Sequence, residues 1–80
     1  GKENVGKKGV VREAKIHKEV INKVLTQARE LGFKVAGLAY SPIKGPEGNI
    51  EYLAYLTLKG EDSVDEGRVD SIVALSHKDL

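Results

Sequence analysis

Glu51 is a lone carboxylate at the entrance of an apolar run, and that setting marks it as the first residue suited to chemistry. The run extends from Asn49 to Leu58, with Ile50, Tyr52, Ala54, Leu56 and Leu58 apolar at alternate positions. Ahead of it, Ser41-Pro42-Ile43-Lys44-Gly45-Pro46-Glu47-Gly48 contains both prolines of the chain. Proline fixes φ and removes an N–H donor, while glycine allows positive φ, so neither flanking strand continues through this segment. It is longer than a two-residue hairpin turn, and loops of such length often carry function. The chemistry of the chain is expected there. Lys2, Lys7, Lys8 and Arg12 form a second, basic set able to approach a phosphate backbone, although a solvated loop explains it more simply. The spacing Gly1-x4-Gly6-Lys7 imitates a phosphate-binding loop, but Lys8 occupies the position where that motif needs Ser or Thr.

The elements that must hold these residues follow from periodicity. Residues 1–11 read as a loop. Over 12–31, Ile16, Val20, Val24, Ala28 and Leu31 fall on one stripe at spacings of three and four, with Ile21 and Leu25 beside it. That pattern predicts an amphipathic helix, with Gly32 as the residue after its C-cap and Arg29 favoured by the dipole in its last turn. His17 falls on the polar side and is expected to face solvent. A strand over 33–40, the loop 41–48 and a second strand over 49–58 complete an antiparallel hairpin. Glu51 is placed just inside the second strand, which is apolar on both faces and so calls for cover on both sides. A second helix is predicted over 64–77, with Ser63 and Glu66 as a capping box; it is expected to cover the other face, giving α-β-β-α.

Bulk properties narrow the class. Eighty residues form one small domain at most, burying only about 60% of its unfolded surface. The 40% apolar and 31% charged content fits a soluble globular chain and excludes a disordered one. No apolar run approaches the roughly 20 residues of a spanning helix, and the N-terminus lacks the apolar core of a signal peptide. The absence of cysteine excludes a disulfide framework or thiolate metal site and suits a cytoplasmic protein. A net charge of +1 argues for no nucleic-acid partner by itself. The absence of methionine suggests a processed chain or a piece of a longer one.

The runs Val5-Gly6-Lys7-Lys8-Gly9-Val10-Val11-Arg12, then His17, then Glu30-Leu31-Gly32-Phe33, and then Ser41 through Tyr52 strongly resemble the C-terminal part of the TlyA family. These hemolysin A-like proteins are FtsJ/RrmJ-type ribosomal RNA 2′-O-methyltransferases dependent on S-adenosylmethionine. The resemblance covers roughly 5–58 and implies an α/β fold, here an α+β fragment: the helix–hairpin–helix end of a Rossmann-like methyltransferase domain. It implies that the glycine-rich cofactor loop lies upstream, so residues 1–80 hold no cofactor site and no metal site. Of the family's Lys-Asp-Lys-Glu catalytic set, the resemblance leaves only the final glutamate, at Glu51. A lysine of depressed pKa accepts the ribose hydroxyl proton in such a set, and Glu51 would orient and tune it. Lys44 resembles a substrate-side cation facing RNA phosphate. Ser41 and Asn49 are expected to hydrogen-bond ribose or backbone, or else to cap the turn, and Lys7 and Lys8 to meet RNA. No chemical role follows for His17.

The chain thus reads as part of an rRNA methyltransferase, inactive alone, whose partner is the ribosomal RNA or subunit and not a membrane. No lytic amphipathic segment supports the hemolysin label. The alternative is a stand-alone RNA-binding or protein-interaction module. The isolated chain is expected to form a homodimer, through the free edge of its first strand or face to face through Leu53 and Tyr55.

Overall fold

The structure, a computed structural model, describes residues 13–80. Helix α1 (Ala14–Glu30) leads into strand β1 (Lys34–Tyr40), and strand β2 (Tyr52–Thr57) leads into helix α2 (Glu66–Asp79). A single 3-10 turn, Pro46–Gly48, interrupts the connection between the strands, which pair antiparallel as a two-stranded sheet. The architecture is therefore helix, hairpin, helix.

Local chemistry sets each boundary. Helix α1 ends in a Schellman arrangement: Gly32, at φ 99°, donates to Arg29 O at 3.0 Å and Phe33 donates to Ala28 O at 3.1 Å. Only glycine adopts that φ without strain, so the chain reverses here and β1 folds back on α1. Arg29 reaches across to the approach of α2. Its Nε and Nη2 donate to the two Asp62 oxygens, each at 2.7 Å, and Nη2 also donates to Val64 O at 2.5 Å. The Asp62 carboxyl is held far below the usual range, first by Arg29 and then by the Val35 N–H. The N-cap of α2 is Asp65, whose carboxylate accepts from Arg68 N at 2.8 Å, in place of the expected Ser63 box. Ser63 is engaged by the sheet, its N–H and hydroxyl donating to Val35 O and Ala36 O.

One core joins all the elements: Ile21 and Leu25 of α1, Val35 and Leu38 of β1, Val64, and Val69, Ile72 and Val73 of α2. Val35 and Leu38 are three apart, a spacing that puts side chains on opposite faces of a regular strand. A bulge between Val35 and Gly37 leaves Ala36 unmatched and returns both to the inner face.

Several expectations are corrected. Both helices lie on the same side of the hairpin, so α2 does not cover a second face; Leu53 and Tyr55 on the far side are 48% and 57% exposed. The buried stripe of α1 is His17, Ile21, Leu25 and Ala28, rotated from the predicted one, and Val20 and Val24 are half exposed. His17 does not face solvent. Glu51 lies just ahead of β2 instead of inside it. The outer edge of β1 is engaged by Asp62 and Ser63 at Val35 and Ala36, while β2 carries no such partner among the described residues.

Candidate functional site

The loop between the strands is stitched across itself by backbone bonds. Ser41 N donates to Glu51 O at 2.8 Å and Gly45 N to Asn49 O at 2.7 Å, while Gly48 and Asn49 donate to Gly45 O and Pro46 O. Glu47 at φ 59° and Gly48 at φ 80° make the sharp reversal. Glu47 holds a left-handed conformation at a cost of roughly 1–2 kcal/mol relative to glycine. The paired ends explain how an eight-residue loop with two prolines keeps one shape.

Glu51 stands at the closing end of this loop. It is exposed, and its carboxylate has no hydrogen bond or ion pair among the described residues. The carboxylate lies directly over Gly45: a Cβ at that residue would be 2.4 Å from Glu51 Oε2. A Cβ at 45 would therefore have to displace the Glu51 carboxylate, while the residue's φ of −77° is open to any residue.

Other expected site residues distribute unevenly. Ser41 Oγ donates to Ile43 O at 3.0 Å and accepts from Ile43 N at 3.3 Å, a turn within the loop. Asn49 takes part in the stitching through its backbone. Lys44 is exposed, and its charge reaches His77, helping to lower that imidazole's pKa. Lys7 and Lys8 lie outside the described residues.

Beneath the loop is a polar cluster that periodicity did not reveal. His17 Nδ1 lies 2.9 Å from His77 Nε2 and 3.2 Å from the Tyr52 hydroxyl. Tyr52 Oη is 2.7 Å from Ser76 Oγ, and Ser76 donates to Val73 O at 2.7 Å. The cluster ties α1, β2 and α2 together one residue from Glu51. Burial is the main cause holding His77 below its ordinary pKa, followed by the charges of His17 and Lys44. The signal for His17 was its register with Ile21, Leu25 and Ala28; ranking only apolar residues hid it. Tyr40 donates to Asp79 near the C-terminus of α2.

An apolar groove of about 280 Å³ opens beside the site, lined chiefly by Val20 and Val24 of α1 with Ile50, Tyr52 and Ala54. Outside the groove, Leu53, Tyr55, Leu56 and Leu58 are also exposed. No helix among the described residues is long and apolar enough to cross a membrane.

Comparison with known proteins gives a consistent result. The FtsJ-like methyltransferase family pattern matches residues 1–58. The candidate rRNA methyltransferase YqxC of Bacillus subtilis is 38% identical over the whole chain, which spans 30% of that protein. The 16S/23S rRNA (cytidine-2′-O)-methyltransferase TlyA of Mycobacterium tuberculosis is 39% identical over 70% of the chain, corresponding to 21% of its own length. A solved structure of a candidate hemolysin from Streptococcus thermophilus superposes with a TM-score of 0.81 at 40% identity, covering 99% of this chain and 29% of that one. The chain thus spans less than a third of each of these relatives.

Proposed function

The chain belongs to the FtsJ-like methyltransferase family, and from that premise we propose that residues 1–80 are the C-terminal part of a TlyA-type ribosomal RNA 2′-O-methyltransferase. The observation that carries the reading is Glu51: a solvent-facing carboxylate without a structural partner among the described residues, set over Gly45 by a stitched loop. A surface glutamate serving the fold would be paired or free to swing. This one is exposed, unpaired among the described residues and carried at a backbone position that the stitched loop fixes, which suits a group awaiting a lysine from elsewhere in the enzyme. Its role is to position and tune that lysine as the ribose hydroxyl loses its proton. Lys44 meets the RNA phosphate from the same loop, with Lys7 and Lys8 as further backbone contacts. Ser41 and Asn49 act first by shaping the loop.

S-adenosylmethionine supplies the methyl group in such an enzyme. The residues described here do not fit a site for it. The positive-φ glycines Gly32, Gly48 and Gly60 sit at a helix end, in the loop and after β2, and none opens a helix after a strand. The cofactor pocket is therefore assigned to the remainder of the protein. The open groove and the free edge of β2 are where that remainder packs, since apolar surface of this kind is stabilised by burial at about 25 cal/mol per Å². Calorimetric titration of the 80-residue chain with S-adenosylmethionine is expected to show no measurable binding. Micromolar affinity would place the pocket inside this chain and overturn the reading.

A further inference from the structure

The groove beside Glu51 is suited to one kind of occupant. Val20 and Val24, about one turn apart on α1, line one side, and Ile50, Tyr52 and Ala54, at alternate positions along the second strand, line the other. No lining residue is charged, and Tyr52 brings the one polar side chain, whose hydroxyl is bonded to Ser76 Oγ at 2.7 Å. Such walls offer nothing to the amino and carboxylate groups of S-adenosylmethionine or to the phosphates of RNA. At about 280 Å³ the groove is also smaller than the roughly 300–1,000 Å³ of small-molecule sites. It suits apolar side chains.

Its position determines how those side chains arrive. Strand β2 pairs with β1 along one edge and carries no strand on the other among the described residues. A strand added there would run about 4.8 Å from β2. Its alternate side chains would fall about 5 Å from Tyr52 and Ala54 on the same face, which puts them in the groove against Val20 and Val24. One extended segment thus satisfies both the bare edge and the groove. Its source is the same polypeptide, because the relatives extend well beyond the part that this chain matches. Linkage gives such a strand an effective concentration of about millimolar, which a second copy does not reach.

Filling the groove bears on Glu51 because Ile50 and Tyr52 flank it. The loop ties the Glu51 backbone on one side, where its carbonyl accepts from Ser41 N at 2.8 Å. Packing on Ile50 and Tyr52 fixes the same backbone from the other side, away from the carboxylate over Gly45. We propose that the groove and the edge of β2 receive an apolar strand from the remainder of the enzyme, and that Val20, Val24 and Ile50 act through it as positioning residues for Glu51. The positioning role rests on the function given to Glu51 above; the docking of the strand does not.

Hydrogen exchange and kinetics on the full-length protein test the two parts. The β2 amides that do not bond to β1 should be protected by at least about 100-fold, at every protein concentration, and Val24→Ala should weaken that protection by roughly 10-fold. The same variant should lower kcat for methyl transfer by about 10-fold with the KM for S-adenosylmethionine unchanged, and Val24→Ile should restore most of the rate. Should Val24→Ala fail to fold, Val20→Ala on the same wall carries the same expectations. Unprotected amides overturn the proposal, and protection that appears only as concentration rises overturns it in favour of a second copy. Wild-type kcat in Val24→Ala, or a raised KM at unchanged kcat, removes the positioning role. Failure of the functional reading shows separately, as wild-type protein that transfers no methyl group to ribosomal RNA while the amides remain protected.

Discussion

At the scale of single residues, the site depends on one close approach. Gly45 has φ and ψ of −77° and −164°, a conformation alanine accepts, so Gly45→Ala should leave thermal stability nearly unchanged. Its new Cβ would lie 2.4 Å from Glu51 Oε2 and must displace the carboxylate. In the larger enzyme, methyl transfer should fall by roughly 10- to 100-fold, as expected for a misplaced catalytic group. Steady-state rates together with a melting curve check both halves. Glu51 and its loop were legible in the sequence because a carboxylate among apolar residues and a Pro/Gly loop are visible by type alone. His17 was missed because its register with Ile21, Leu25 and Ala28 was read for apolar residues alone, and the polar partners that accompany its burial come from β2 and α2. The burial has a pH signature. His77 binds its proton less readily folded than unfolded, so its contribution to stability is present above about pH 6.5 and is lost as pH falls through its folded pKa. Asp62 behaves likewise but lower: its contribution is full above the ordinary carboxylate range and is lost progressively as pH falls from there towards its strongly depressed folded pKa. Urea midpoints measured from about pH 8 to 5 should therefore decline in wild type, and should decline less in His77→Gln.

At the scale of elements, the helix–hairpin–helix order was readable from periodicity, while the way the elements face one another was not. The apolar stripe of α1 offered two adjacent candidates. The structure buries Ile21 and Leu25 and leaves Val20 and Val24 half exposed, because β1 returns after Gly32 at an angle set by the Schellman turn. Leu25→Ala should destabilise by roughly 2–5 kcal/mol, a large share of a small domain's stability. Val24→Ala should cost less than about 0.5 kcal/mol in the isolated chain. Urea unfolding compares them directly, and equal costs would contradict the observed register of α1. The bulge at Ala36 was equally hidden. An uninterrupted apolar strand reads the same with or without it, and only the burial of both Val35 and Leu38 reveals the extra residue.

At the scale of the whole molecule, the asymmetry of the hairpin dominates. One face carries both helices; the other face and the edge of β2 carry apolar side chains without cover among the described residues. An open edge next to an apolar face is a template for another chain. The sequence pointed to such pairing but favoured the edge of β1, whose Val35 and Ala36 are taken by Asp62 and Ser63, 27 and 28 residues downstream. The isolated chain is therefore proposed to form a two-fold homodimer through β2. Light scattering across a concentration series should show dimer mass, and Tyr55→Lys should shift it to monomer; monomer mass at high micromolar wild type would contradict it. On the proposed reading, the same surface would instead meet the rest of the domain in the larger enzyme, with Glu51 at the junction between the two parts. The most direct measurement of that placement is methyl transfer to ribosomal RNA by the full-length protein carrying Glu51→Ala. The account predicts a rate reduced by at least about 100-fold with an unchanged melting temperature; turnover near that of wild type would contradict it.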